Sequence, residues 1–169
     1  MAALAAAGGG GAATAGCTAA ELGGSFTVIP GSAGAGNVVY VVRLRNLSVT
    51  ECFVTGLVGM QLLGRTGRAL PTHVVFAGRP GMLTAVIVRL KPGSFASATA
   101  RFTPDVPGPG EPVSGRQCEP TAYRVRISVP PRRTGTVLAA VKPATPVCVH
   151  GTLQVSVLVA GINGPRPGR

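Results

Sequence analysis

Residues 38–45 alternate with a period of two. Val38, Tyr40, Val42 and Leu44 fall on one side and Val39, Val41, Arg43 and Arg45 on the other. This predicts a strand with one face in the core and a second face that runs from covered to solvated. The other strands are expected to pack around it. The same period recurs downstream: Ala96, Ala98, Ala100 and Phe102 alternate with Ser97, Thr99 and Arg101, and Tyr123, Val125, Ile127 and Val129 alternate with Arg124, Arg126 and Ser128. Leu153, Val155, Val157 and Val159 predict a last strand with these four facing inward. Shorter apolar runs predict strands at 25–29, 53–63 (interrupted by Gly56 and Gly59), 83–90 and 136–141, with a weak one at 73–76.

Pro30-Gly31, Gly34-Ala35-Gly36, the turn at 64–68, Arg79-Pro80-Gly81, Lys91-Pro92-Gly93 and Pro130-Pro131-Arg132-Arg133 punctuate these runs. About eight or nine short strands with no convincing helix describe an all-β fold, specifically an immunoglobulin-like β-sandwich. At 169 residues the chain suits one domain, able to bury roughly 70% of its unfolded surface. Residues 1–16 are an Ala/Gly tract expected to be a disordered leader, 17–162 the single domain, and 163–169 a flexible tail. The segment 103–117 holds Pro104, Pro107, Pro109 and Pro112, cannot keep a ladder, and is expected to be a mobile surface loop. No stretch reaches the roughly 18 uninterrupted apolar residues of a membrane span.

The four cysteines change the picture most. They show neither C-x-x-C nor Cys/His clustering, so they read as two disulfides in an oxidising compartment rather than a metal site. The strand at 25–29 and the central strand are joined by a short turn and should be antiparallel, which brings Cys17 and Cys52 to one end of the sheet. If 136–141 is a strand, the chain reverses twice between Cys118 and the final strand, so Cys118 and Cys148 share an end. The expected pairs, out of three possible connectivities, are Cys17 with Cys52 and Cys118 with Cys148. Each closes a loop worth about 3 to 4 kcal/mol on the chain-entropy model. Export is inferred from the cysteines, because residues 1–16 lack a basic n-region and a secretory h-region. A lipoprotein reading of Thr14-Ala15-Gly16-Cys17 would lipidate Cys17 and leave an odd thiol.

Sixteen Lys plus Arg against five Asp plus Glu give +11. The charge favours anionic partners without choosing among nucleic acid, polymer and membrane surface. The basic residues are mostly Arg and, with Ala, Gly and Pro, have GC-rich codons, so coding bias is expected to contribute to this composition, which discounts the charge as a sign of function. Arg124, Arg126, Arg132 and Arg133 form the densest group and are the one candidate anion-binding patch. Specific nucleic-acid binding is not expected, because no aromatics interleave with the arginines. His73 and His150 are the only imidazoles, and neither sits near acids at ligand spacing. Both read as ordinary surface or edge residues, with copper capture alongside Met60 or Met82 the minor reading. The five acids, Glu21, Glu51, Asp105, Glu111 and Glu119, are scattered, which disfavours a nucleophilic triad or a paired-carboxylate glycosidase. The glycines at 8–11 lack a following Gly-Lys-Ser/Thr and read as linker, not phosphate cradle. Asn46-Leu47-Ser48 matches a glycosylation sequon.

The order of landmarks also carries a resemblance. It runs from Cys17 and Leu22 through a central strand ending in Asn46 to Cys52 with Gly56 and Gly59. Leu90-Lys91-Pro92-Gly93 with Ala96, then Cys118, Val129-Pro130, and Cys148 with Leu153-Gln154-Val155 complete it. This succession resembles the secreted or lipid-anchored actinobacterial domain of unknown function 4232, over residues 17 to about 160. The resemblance implies an immunoglobulin-like sandwich of the cell envelope and no established activity, so it adds no site. Leu57-Val58 stands where that family has an aromatic and a Pro, and Leu47-Ser48 replaces its small turn after the Asn.

The expectation is therefore an exported, non-enzymatic cell-envelope module without a cofactor, secreted or held at the cell surface. It would present the loops 64–82 and 103–117 and the Arg face to an anionic wall polymer or an envelope protein. The alternative is a small extracytoplasmic hydrolase or metal-handling protein.

Overall fold

The computed structural model describes residues 13–78, 86–113 and 117–165. The strands are β1 (Leu22–Val28), β2 (Val38–Asn46), β3 (Cys52–Thr55), β4 (Gly59–Leu63), β5 (His73–Phe76), β6 (Ile87–Leu90), β7 (Phe95–Phe102), β8 (Ala122–Ser128), β9 (Val137–Thr145), β10 (Thr152–Val155) and β11 (Val159–Ala160). A 3-10 turn at Ala19–Glu21 and a four-residue helical turn at Cys148–Gly151 complete the regular elements. Among the described residues no helix is long and apolar enough to cross a membrane. The chain is all-β and carries two disulfides.

β2 is central, as its alternation predicts. It pairs antiparallel with β1, Leu22 opposite Asn46 to Val28 opposite Tyr40, and with β7, Val38 opposite Phe102 to Arg45 opposite Phe95. The long sheet has the order β4-β8-β9-β1-β2-β7-β10-β5, with β11 also on β7, while β3 and β6 pair separately. Eight strands laid flat would put β4 and β5 about 34 Å apart at the usual strand spacing. The Leu62 N–H instead donates to Thr72 Oγ1 at 3.0 Å, beside β5. The sheet therefore curls until its ends meet and is nearly closed, barrel-like.

The inward positions fill this curl. Tyr40 stands between Phe26 and Phe102, with ring centroids 5.0 and 5.1 Å apart, and its hydroxyl donates to the Pro143 carbonyl at 2.9 Å. Ala96, Ala98 and Ala100 of β7 are fully buried. Their small side chains leave room for these rings. Val54, Val88 and Leu90 extend the core from the β3–β6 pair.

Two sequence expectations need adjustment, and three others fall partly outside the described residues. The run 53–63 becomes two strands in different sheets, broken where Gly56 takes φ 71°. Val157 and Val159 are half-buried while Leu158 is fully buried. Val155 faces Ala100 and Val159 faces Ser97, so four steps along 155–159 match three along β7. One extra residue flips the alternation. The expected leader falls partly on 1–12, outside the described residues. Within 13–16, the Ala15 carbonyl accepts the Phe53 N–H at 3.0 Å, a distance typical of a ladder, and Gly16 bridges to Phe53. Of the 83–90 strand, 83–85 lie outside the described residues; of the tail, 166–169 do.

Candidate functional site

β8 carries the predicted basic face. Val125 and Ile127 point into the core, so Arg124 and Arg126 point out, about 7 Å apart at two residues per pleat. Arg126 lies between Gln61 of β4 and Leu138 of β9. Ser128, the next outward position, faces Gly59. Arg133 folds back onto this end, donating from Nη2 to the Leu57 carbonyl at 3.3 Å. A Cβ on Gly59 would lie 3.4 Å from Arg133 Nη1. At the other end Arg124 Nη2 donates to the Arg65 carbonyl at 3.2 Å. The Arg65 guanidinium lies 4.2 Å over the Tyr123 ring and donates to its hydroxyl.

The structure thus brings together Arg124, Arg126 and Arg133 of the predicted patch and adds Arg65. Arg132 turns away, towards Gly16 and the charge of Glu21. Arg65 escapes sequence reasoning because 58 positions separate it from Tyr123. Its only local signal is its place in a turn.

Every acid lies away from this row. Glu51 pairs with Arg89 at 3.4 Å. Glu21 accepts the Thr18 backbone N–H and hydroxyl, which hold its pKa below the ordinary carboxylate value. Asp105 lines a shallow depression of about 450 Å³ beside Cys118. Glu111 and Glu119 meet His150.

That meeting corrects the expectation that His150 has no acidic neighbours. The Cys118–Cys148 bridge ties the Pro-rich segment to the turn at Cys148–Gly151. Glu111, buried, accepts the N–H groups of Gly108 at 2.6 Å, Val149 at 2.9 Å and His150. Val149 and His150 have φ of 57° and 54°. This left-handed region is costly for a β-branched residue. His150 Nε2 is 2.9 Å from the Pro109 carbonyl, so it carries the proton. The Nδ1 atom then faces Glu111 Oε1 at 3.7 Å and Glu119 Oε1 at 3.6 Å. Burial raises the Glu111 pKa, but the three backbone donors and His150 outweigh it and hold it below the ordinary value. Burial, then the Glu111 charge, pushes Glu119 up. One nitrogen and two oxygens within 4.8 Å of one another form a group able to hold a metal ion. His73, by contrast, sits exposed on β5 and Met60 is buried in the core, while Met82 lies outside the described residues.

The sequon is ruled out by geometry. Asn46 is 1% exposed, its Nδ2 donates to Thr50 and Leu90 carbonyls at 2.8 and 2.9 Å, and its Oδ1 accepts the Ser48 N–H at 2.9 Å. It closes a turn and offers no free amide.

These features define an all-β, doubly disulfide-bridged domain with a nearly closed sheet. The family model "Domain of unknown function (DUF4232)" matches residues 17–158, and the chain belongs to that family. A comparison with curated proteins finds no match.

Proposed function

We propose that this domain is an exported, non-enzymatic module of the cell envelope that binds an anionic polymer or an acidic protein surface along β8. The observation that carries the reading is the row of Arg133, Arg126, Arg124 and Arg65, with all five acids placed elsewhere. The roughly 7 Å spacing of Arg124 and Arg126 suits an extended chain with repeated negative charges. The two disulfides support an extracytoplasmic setting. The β3–β6 pair, outside the long sheet yet buried against the common core, supports reading the fold as an immunoglobulin-like sandwich. The test is retention on purified anionic wall polymer at low and high salt, for the native protein and R124Q/R126Q. Retention that falls with salt and drops about tenfold or more in the variant is expected. No retention at low salt, or retention indifferent to salt, would overturn it.

A second reading, metal handling, rests on Glu111, Glu119 and His150 alone. Elemental analysis of protein purified without chelator tests it, together with H150A as the matched control.

A further inference from the structure

A second surface lies two strands away from the basic row, on the outer face of β2, β7, β10 and β5. The pairing registers place Val39, Arg101, Gln154 and Val75 side by side across these strands. Their neighbours Val38, Phe102, Leu153 and Val155 are buried, so this row faces out. Above it is a cavity of about 540 Å³, within the range of small-ligand sites. A smaller hollow of about 110 Å³ continues past Arg101 and Gln154.

Both walls are fastened to the sheet. One is the β1–β2 connection, where Ser32 Oγ accepts the Val39 N–H at 3.1 Å and donates to the Val39 carbonyl at 3.0 Å. The other is the segment after β11. Ser97 Oγ donates to the Gly161 carbonyl and accepts the Gly164 N–H, both at 2.7 Å, while Arg43 Nε donates to the Ile162 carbonyl at 2.7 Å. A site with such walls needs little ordering when a ligand enters.

The polar groups divide into two sets. Ser32 and Ser156 hydroxyls are engaged with backbone, the latter accepting the Thr99 N–H at 2.8 Å. Arg101, Gln154 and Asn163 make no side-chain hydrogen bond to any described residue, although all three line the cavity. Ile29, Val39 and Pro165 supply apolar lining beside them. A guanidinium fork and two amides with no partner among the described residues, set beside an apolar wall, together select a particular chemistry.

We infer that this groove binds a carboxylate-bearing molecule with an adjacent amide and an apolar side group. The carboxylate sits on Arg101, the amide is held by Gln154 and Asn163, and the apolar group lies on Ile29, Val39 and Pro165. A free acylated amino acid and the C-terminal end of a peptide share this chemistry. The inference stands independently of the basic row on β8.

The experiment is an NMR titration of the whole chain with acetyl-leucine, acetyl-leucinamide, and a short neutral peptide ending in leucine with a free carboxylate. Expected are shifts of Thr99, Gln154 and Asn163 resonances with acetyl-leucine, weakened roughly tenfold for the neutral amide. R101Q, checked for folding by circular dichroism, should lose a similar factor, and R132Q should lose none. Tighter binding of the peptide identifies a chain end as the ligand's source; equal binding identifies the free acid. Absence of shifts at millimolar ligand, or equal response to acid and amide, overturns the proposal. So does undiminished binding by R101Q.

Discussion

The Glu111 carboxylate accepts the Val149 backbone N–H at 2.9 Å across 38 positions of sequence. This bond and the one from the His150 N–H hold a Pro-rich segment with no strand of its own against the left-handed turn that carries Cys148, while the Gly108 N–H braces the same carboxylate from within the segment. The described part of this segment, a surface loop as its prolines predict, is tied down by one buried carboxylate and, at Cys118 just beyond it, one disulfide.

Substituting E111Q removes the charge that three N–H groups converge on and points an amide at donors. A loss of about 1–3 kcal/mol at neutral pH follows. The folded-state pKa of Glu111 is depressed, so its contribution is present above the ordinary 4.5 and is lost as pH falls through the folded value. Denaturant midpoints measured across the acid range should fall for the native protein, with the E111Q curve flatter there.

Glu119 has the opposite sign. Burial and the Glu111 charge raise its pKa, so its proton is held more tightly in the folded chain. Its stabilisation is present below 4.5 and lost as pH rises through the raised value. E119Q should therefore raise the melting temperature at pH above that value and change little in acid. A lower melting temperature at neutral pH would show that the His150 contact outweighs the repulsion.

Asn46→Ala leaves the Leu90 carbonyl and the Ser48 N–H without their partner in a site 1% exposed. A cost of about 2–3 kcal/mol is expected from chemical denaturation. Mass spectrometry of protein from a glycosylating host should show no glycan at this position.

Gly151 combines φ 75° with a backbone contact: a Cβ there would overlap the Pro71 carbonyl. G151A should cost at least about 3 kcal/mol or prevent folding, whereas G31A, with the same sign of φ but open space around it, should cost about 1 kcal/mol. Comparing the two separates steric overlap from backbone strain.

The cysteine pairs close separations of 35 and 30 residues. Replacing either pair by Ser should lower stability by about 3–4 kcal/mol. Thiol counting on unfolded, unreduced protein should find none free, and reduction should release four.

The alternation of Val38 to Leu44 and of Val125 to Val129, with the turn residues between runs, determined by itself that this chain is all-β, that β2 has a core face, and which cysteines meet. Those are properties of period and short connections, and period is local. Tyr123, expected to face inward with Val125 to Val129, instead lies under Arg65 because the register shifts between Ala122 and Arg124. Only the tertiary structure decided the strand order, because a sheet that curls until β4 meets β5 depends on long-range pairing that no window of sequence contains. The same holds for the sites. Arg124 and Arg126 are legible as outward neighbours on one strand, but Arg65 reaches them, and Glu111 and Glu119 reach His150, only through closures spanning dozens of residues. Side chains converge where the closed sheet brings distant loops together, so their chemistry becomes visible only in three dimensions.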